Sequence, residues 1–423
     1  MNDYLVGIDI GFSKVCAAVG KLDKYGQINI IGVASAKNSG LKRSIVVDID
    51  ETANSIKECI EQLQRMIDIR IKDAYVSLAG EVCELIYNKG VVAVSSDERE
   101  IQKKDVDRAI ESAKLINIPS DKEIVGIIPL QYIVDGYESI KDPIGMNGFR
   151  LEVESQIITT NTTVINNLIK SINRAGINIS GLVLQPLALW QAVCDEEAGQ
   201  LKNVIVDVGA ENTRISIFKK GVLIKTEVVP LGGNNITNDI SICLKIPYLD
   251  AEELKLKYGN LNVNGNEENK KLKINSQYGS NIEVDYVILN QIMKARVEEI
   301  LLFVKKKLMD TDVYNEISDI VLVGGGISLF YGIEKLGREV FGKNIRIGTV
   351  DFTGADNPMY TAAVGIVKDV GYSLREAKNM QEENNVFEGK VSDRTRIKKD
   401  EDSFENGNKK FLTKIRDFLT DFF

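Results

Sequence analysis

Two short phrases in this chain place a carboxylate and a glycine at the end of an apolar run: Asp9-Ile10-Gly11 after Leu5-Val6-Gly7-Ile8, and Asp207-Val208-Gly209 after Val204-Ile205-Val206. A second strand-like run follows each, so each reads as a hairpin with a tight turn. In the first turn, Gly11-Phe12-Ser13-Lys14, backbone N–H groups and the Ser13 hydroxyl point at an anion and Lys14 adds charge. A carboxylate repels phosphate, so Asp9 suits the water shell of Mg²⁺, which keeps several waters and takes few protein ligands. For a single copy, a tight hairpin whose buried aspartate caps the turn is an equally good reading. Two copies suggest related half-molecules facing one phosphate-gripping cleft.

The second turn offers Asp207 for the metal's water shell, and the N–H groups of Gly209, Ala210, Glu211 and Asn212 with the Thr213 hydroxyl for phosphate. Glu211 is awkward there. It points outward, helps to bind the metal, or weakens nucleotide affinity. A third cluster, Gly324-Gly325-Gly326, follows the apolar run Ile320-Val321-Leu322-Val323 and opens a helix, where glycines let a flat ring or a phosphate approach the backbone. In Asp250–Lys257, Glu252 and Lys255 lie one turn apart on one helix face. They form either a solvated ion pair or a ribose-and-base clamp from the second half.

The 423 residues are enough for several subdomains with a sizeable core, and 44% hydrophobic with 27% charged residues is an ordinary soluble balance. The net charge of −8 argues against nucleic acid as a partner, because phosphate backbones are held by accumulated Lys and Arg. Histidine is absent, which excludes Ser-His-Asp and Cys-His nucleophiles and imidazole zinc sites. Cys16, Cys59, Cys83, Cys194 and Cys243 are widely spaced and read as reduced thiols in the cytoplasm. Neither a basic signal region at Met1–Leu5 nor an apolar run of spanning length is found.

Periodicity gives an α/β chain with strands at 4–10, 14–20 and 28–35, a helix over 51–67 and a strand at 74–79. From 81 to 161 a different unit intervenes, an inserted α+β subdomain with strands at 90–95, 124–134 and 151–160 and a helix at 103–116. The first pattern then resumes, with a helix at 162–175, a strand ending at Leu184, a helix over 187–197, and the second hairpin within a unit over 162–232. Residues 233–308 read as mainly helical, interrupted by a polar loop or short hairpin at 260–281. The stretch 309–371 completes the second half.

Over 377–408 only seven of 32 residues are apolar, too few to drive burial, so 372–408 reads as a disordered linker. Residues 409–423 become periodic again. On a helical wheel Phe411, Leu412, Ile415, Phe418, Leu419, Phe422 and Phe423 fall within an arc of about 140°, with the polar residues outside it. Lys409, Lys410, Lys414 and Arg416 add positive charge, the pattern of an amphipathic helix lying in a membrane interface. Half-burying seven such side chains contributes on the order of 5–10 kcal/mol before ordering costs. Docking on the chain's own core or in a partner's groove is the competing reading, and the tether before the helix argues against self-docking.

Taken together, the two hairpins and the glycine cluster, in this order, resemble the actin, heat-shock chaperone and sugar kinase superfamily. Ile128-Pro129-Leu130-Gln131-Tyr132, Asp142-Pro143-Ile144-Gly145-Met146, Gly148-Phe149-Arg150, Gly40-Leu41-Lys42-Arg43 and Leu184-Gln185-Pro186-Leu187-Ala188 are similar to segments of the bacterial cell-division family FtsA. The resemblance implies an actin-like two-domain ATPase fold in which subdomain 1A (1–80) is followed by an inserted subdomain of the 1C type (81–161). It further implies subdomain 2A (162–232, completed with 1A over 309–371) and subdomain 2B (233–308). Members bind ATP with Mg²⁺, polymerise, bind the FtsZ C-terminal tail through 2B, and recruit later divisome proteins on anionic lipid at the cytoplasmic face of the bacterial membrane. Gln185 falls where relatives carry a water-orienting Gln or Glu. Relatives' second loop reads Asp-x-Gly-Gly-Gly, whereas this chain has Ala210 and Glu211, which puts hydrolysis in doubt and implies slow or negligible turnover. A pilus-assembly protein resembling PilM, or a small-molecule kinase of the same superfamily, is the alternative.

Overall fold

The computed structural model describes residues 4–23, 27–96, 98–194, 202–262, 270–276, 281–350 and 357–375. Two five-stranded sheets of the same topology carry the cleft. The first runs, across the sheet, Asn178–Leu184, Asp73–Leu78, Tyr4–Ile10, Lys14–Leu22, Ile28–Lys37. The second repeats it as Asn344–Ile347, Ile317–Val323, Lys202–Val208, Thr213–Lys219, Val222–Val229. In each, three consecutive strands form an antiparallel meander, and two later strands add in parallel beside the first.

Helices seal the sheets because their apolar residues recur at helical spacing. In Ile49–Ile67 the buried residues Ile56, Cys59, Ile60 and Leu63 form one stripe, which packs with Ile165, Leu168 and Ile172 of Thr162–Arg174 on Ile8, Val15 and Val19. The Asp48 side chain starts the first of these helices by accepting the Glu51 N–H. On the second sheet the long helix Tyr286–Met309, capped by Asp285, buries Leu289, Met293, Val297, Ile300, Val304 and Leu308.

The inserted unit is a four-stranded antiparallel sheet, Cys83–Ala93, Arg150–Asn161, Lys122–Val134, Tyr137–Ile140, covered by the helix Lys103–Ala113. The helix lies hard on the first strand. A Cβ at Gly90 would stand 1.9 Å from the Ala109 carbonyl oxygen. Ile158 of the insertion packs with Leu184, Leu189, Ile205 and Phe218, so its base is locked to the second half.

Several elements differ from the periodicity reading. The strand expected at 90–95 is Cys83–Ala93, and the helix expected at 187–197 spans Gln185–Val193, because Pro186 fits a first turn that needs no N–H. Short strands at Leu41–Lys42, Ile45–Val46, Tyr137–Ile140 and Asn344–Ile347 are too brief to show a period. The Asp135-Gly136 turn before Tyr137, with φ 49° and 90°, is a hairpin signal visible in the sequence. The polar stretch at 260–281 contributes one strand of a hairpin, Lys271–Asn275, whose partner Asn281–Asp285 runs beyond it. A last helix over 361–375 takes in the first four residues of the expected linker. The rest of that linker and the amphipathic segment, with Phe411, Leu412, Lys414, Ile415, Arg416, Phe418, Leu419, Phe422 and Phe423, lie outside the described residues. Among the described residues no helix is long and apolar enough to cross a membrane.

Candidate functional site

The two hairpins make the same turn. Gly11 donates its N–H to the Lys14 carbonyl at 2.9 Å, and Gly209 does the same to Asn212 at 2.9 Å. Register then fixes what stands across from each aspartate: Cys16 pairs with Asp9, and Arg214 with Asp207.

Remote residues hold the first turn in shape. Asn38 donates its backbone N–H to the Ser13 carbonyl at 2.9 Å and its side-chain amide to the Gly11 carbonyl at 2.7 Å. Asp9 accepts from the Ser77 hydroxyl at 2.6 Å and from the Gln185 amide at 3.3 Å, both on its Oδ1. The Gln185 Oε1 is buried without a partner, an acceptor at the cleft floor. On the other side Gly324, at φ 84°, is obligatory, because a Cβ there would sit 2.3 Å from the Asp207 carboxylate.

Burial pushes the Asp9 carboxyl above its ordinary value, with the Ser77 bond opposing and the charge of Asp207 adding to the rise. Asp207 is likewise raised by burial, opposed by Arg214. Despite its burial, the Arg214 guanidinium is held firmly charged by Glu81 and Asp207. It donates to Asp207 at 3.1 Å, to both Glu81 oxygens at 2.7 and 2.9 Å, and to the Ser44 hydroxyl at 2.9 Å. Glu211 accepts the Arg43 N–H of the opposite half at 3.1 Å.

Lys255 sits on the helix Tyr248–Tyr258 and is 4% exposed, so the pair with Glu252 is not a solvated one. Its ammonium donates to the Gly233 carbonyl at 3.1 Å, the Thr237 hydroxyl at 2.8 Å and Glu252 at 2.7 Å, while Thr237 also bonds Glu252. Burial lowers its pKa, and the charge of Lys14 from the opposite half adds to the lowering. Lys14 itself lies 3.8 Å from the sulfur of Met359, a residue whose Cβ flanks Gly325.

Two details correct the sequence reading. Thr213 is fully buried and donates its hydroxyl to the Leu231 carbonyl at 2.8 Å, because its strand position faces the core. Gly324, Gly325 and Gly326 do not open a helix directly. A six-residue turn intervenes before Ile333–Phe341, because Gly326 gives its N–H to the Val208 carbonyl at 2.8 Å and so packs on the second hairpin. The carbonyls of Gly209 and Ala210 are themselves taken by the N–H groups of Gly233 and Asn234 at the start of the helix Gly233–Leu244. Periodicity did not single out Asn38, Ser44, Ser77, Glu81 or Arg214. The polar run Asn38-Ser39-Gly40 was the available signal for the first of these.

Comparison with known proteins gives this geometry a lineage. The profile of the family described as Cell division protein FtsA matches residues 204–365. The Cell division protein FtsA of Bacillus subtilis (strain 168) is 36% identical over 369 residues, covering 87% of this chain and 83% of that one. The chain belongs to the FtsA family. The Enterococcus faecalis FtsA is 33% identical over 434 residues, 99% of this chain and 98% of its own length. A second profile, the SHS2 domain inserted in FTSA, matches residues 80–159, where the four-stranded unit lies.

Solved structures confirm the fold as the actin-like one. A chain of the PilM-PilN type IV pilus biogenesis complex aligns with a TM-score of 0.58 at 17% identity, covering 87% of this chain and 98% of that one. MreB5 of Spiroplasma citri bound to ADP aligns with a TM-score of 0.53 at 12% identity, over 88% of this chain and 99% of its own.

Proposed function

We propose that this FtsA-family chain is an actin-like, ATP-binding adaptor that assembles with its own copies and ties FtsZ to the cytoplasmic face of the cell membrane at the division site, where it recruits later divisome proteins. The observation that carries the nucleotide part is that Lys14 and Lys255, from opposite halves, reach the same glycine cluster beside two turns of matching geometry: Lys14 contacts Met359, whose Cβ flanks Gly325, and the Lys255 ammonium bonds the carbonyl of Gly233, which packs on Gly326. A solved neighbour of the same fold holds ADP, which supports a nucleotide in the corresponding cleft.

The residues fit the group. The Gly11 amide is spent in closing its own turn, so the amides of Phe12, Ser13 and Lys14 and the Ser13 hydroxyl, with the Lys14 and Lys255 ammonium groups, would take phosphates; Gly209–Asn212 flank them, Glu252 would meet the ribose, and Gly324–Gly326 the base. Ser328, buried with its hydroxyl unpartnered, lies just beyond those glycines and supports a polar ligand there. Asp9 and Asp207 repel one another in a buried setting, which favours a hydrated cation, and Arg214 already covers much of the Asp207 charge. Bound Mg²⁺ would supply neutralisation of phosphate charge.

Turnover should be slow. The Gln185 amide is committed to Asp9, leaving its Oε1 to orient a water, and Glu211 stands where a phosphate-wrapping glycine would be. Turnover in the range of about 1–100 s⁻¹ typical of kinases would contradict this reading. FtsZ binding is assigned within 233–308 and lipid binding to 409–423. Deleting 409–423 should abolish co-sedimentation with vesicles of anionic lipid, and undiminished sedimentation would sink the tether.

A further inference from the structure

The second hairpin reaches across the cleft with two side chains, and both meet the same small turn. Glu211 accepts the Arg43 N–H, and Arg214 bonds the Ser44 hydroxyl while gripping Glu81, to which Ser44 is also bonded. Arg43 and Ser44 join the strands Leu41–Lys42 and Ile45–Val46 with φ of 49° and 61°. Two successive left-handed residues are normally Asn-Gly, and neither Arg nor Ser prefers that backbone, so bonds from outside the turn contribute to holding it. Arg214 is also the natural target of an incoming phosphate, being a fixed cation on the phosphate hairpin.

We propose that Glu211 and Arg214 form a clasp across the cleft, which the terminal phosphates of a nucleoside triphosphate loosen by competing with Glu81 for Arg214. The clasp explains why the second turn carries Glu211 in place of a glycine: the carboxylate holds the opposite half and not the ligand. Phosphates entering beside Glu211 and Glu81 meet two like charges, while Arg214 is drawn toward them. As the guanidinium shifts, Ser44 loses its donor, and the Arg43–Ser44 turn is left to the Ser44–Glu81 and Arg43–Glu211 bonds and loosens. A cavity of about 10 Å³, room for one water, adjoins this network and is lined by Glu81, Gln185 and Arg214, so the clasp and the orphan Gln185 oxygen share one environment.

The proposal rests on the nucleotide reading of the same cleft, and its test separates the two. Hydrogen exchange across 41–46 is measured in the nucleotide-free full chain for wild type, Glu211→Ala and Arg214→Lys, then for wild type with saturating ATP. Glu211→Ala should speed exchange of the Arg43 amide roughly tenfold, and Arg214→Lys and ATP should each loosen the segment. Glu81→Gln, which removes a competitor for Arg214, should tighten binding of a fluorescent ATP analogue by about three- to tenfold. Unchanged exchange in both nucleotide-free variants overturns the clasp. Unchanged or weaker analogue binding by Glu81→Gln overturns the competition. Should wild type bind no ATP, the nucleotide reading and the competition fall together, while the nucleotide-free exchange still decides whether the clasp exists.

Discussion

The first and second hairpins share a turn and differ in what stands opposite the aspartate. Across from Asp9 lies Cys16, a buried neutral thiol, so that carboxylate is hydrogen-bonded to neutral donors, Ser77 and Gln185, and meets the Arg214 charge only through space. Across from Asp207 lies Arg214, which carries the charge compensation itself and extends it to Glu81. One hairpin thus leaves its aspartate without a cation in contact, while the other carries its own. Duplicated topology does not require duplicated chemistry. A single strand position decides whether a half-site waits for its ligand or is satisfied beforehand.

The largest effect should come from reversing that position. Arg214→Leu leaves Asp207 and Glu81 buried without their partner, and loss of one member of a buried ion pair costs about 3–5 kcal/mol. Cys16→Ala, at the matching register, should cost only about 1 kcal/mol for a small cavity. Urea unfolding of both variants gives the contrast directly, and equal losses would break the comparison.

Charge also dictates a pH signature. Asp9 and Asp207 are both held above the ordinary 3.8, so the folded state binds more protons than the unfolded one from about pH 4 upward, and their contribution to stability falls as pH rises through that window. Arg214 opposes the rise. In Arg214→Leu the carboxyls move higher still, so the variant's deficit against wild type should widen between pH 4 and pH 7. A deficit that is constant with pH would mean that packing, and not charge, is what Arg214 supplies.

Next in size is the glycine cluster behind the second hairpin. Gly324→Ala combines a left-handed backbone with a Cβ 2.3 Å from the Asp207 carboxylate and should cost about 2–4 kcal/mol. Gly325→Ala meets only the Met359 Cβ at 3.5 Å, so its stability should stay within about 1 kcal/mol of wild type. Thermal unfolding of the pair checks both. A tolerated Gly324→Ala would show that the second hairpin can draw back from the glycine cluster, since the Cβ also meets the Val208 carbonyl oxygen at 2.6 Å.

How much of this was legible in the sequence follows from the range of the interactions. The hairpins, the inserted unit and the helical faces are local patterns of apolar spacing, and they were readable. Arg214 was not, since a charged residue in an alternating strand reads as solvent-facing, and its partners Glu81 and Ser44 lie 133 and 170 positions away. Glu211 looked anomalous because its partner, the Arg43 amide, is a backbone group that no side-chain pattern announces. The Glu252 and Lys255 pair was readable in spacing but not in burial, which depends on Gly233 and Thr237 of a neighbouring helix.

The smallest effect sharpens the comparison one residue earlier. Thr213 occupies the strand position matched by Val15 in the first hairpin, pairing with Val208 as Val15 pairs with Ile10. Thr213→Val therefore gives the second hairpin the residue of the first. Removing its hydroxyl leaves the partly buried Leu231 carbonyl without that donor, a loss of about 1 kcal/mol with the volume conserved. Nucleotide affinity should be unchanged, because the hydroxyl faces the core. If the variant keeps its stability but loses nucleotide, Thr213 must turn toward the ligand on binding, and the second hairpin would then grip phosphate with a side chain, as Ser13 is assigned to do in the first.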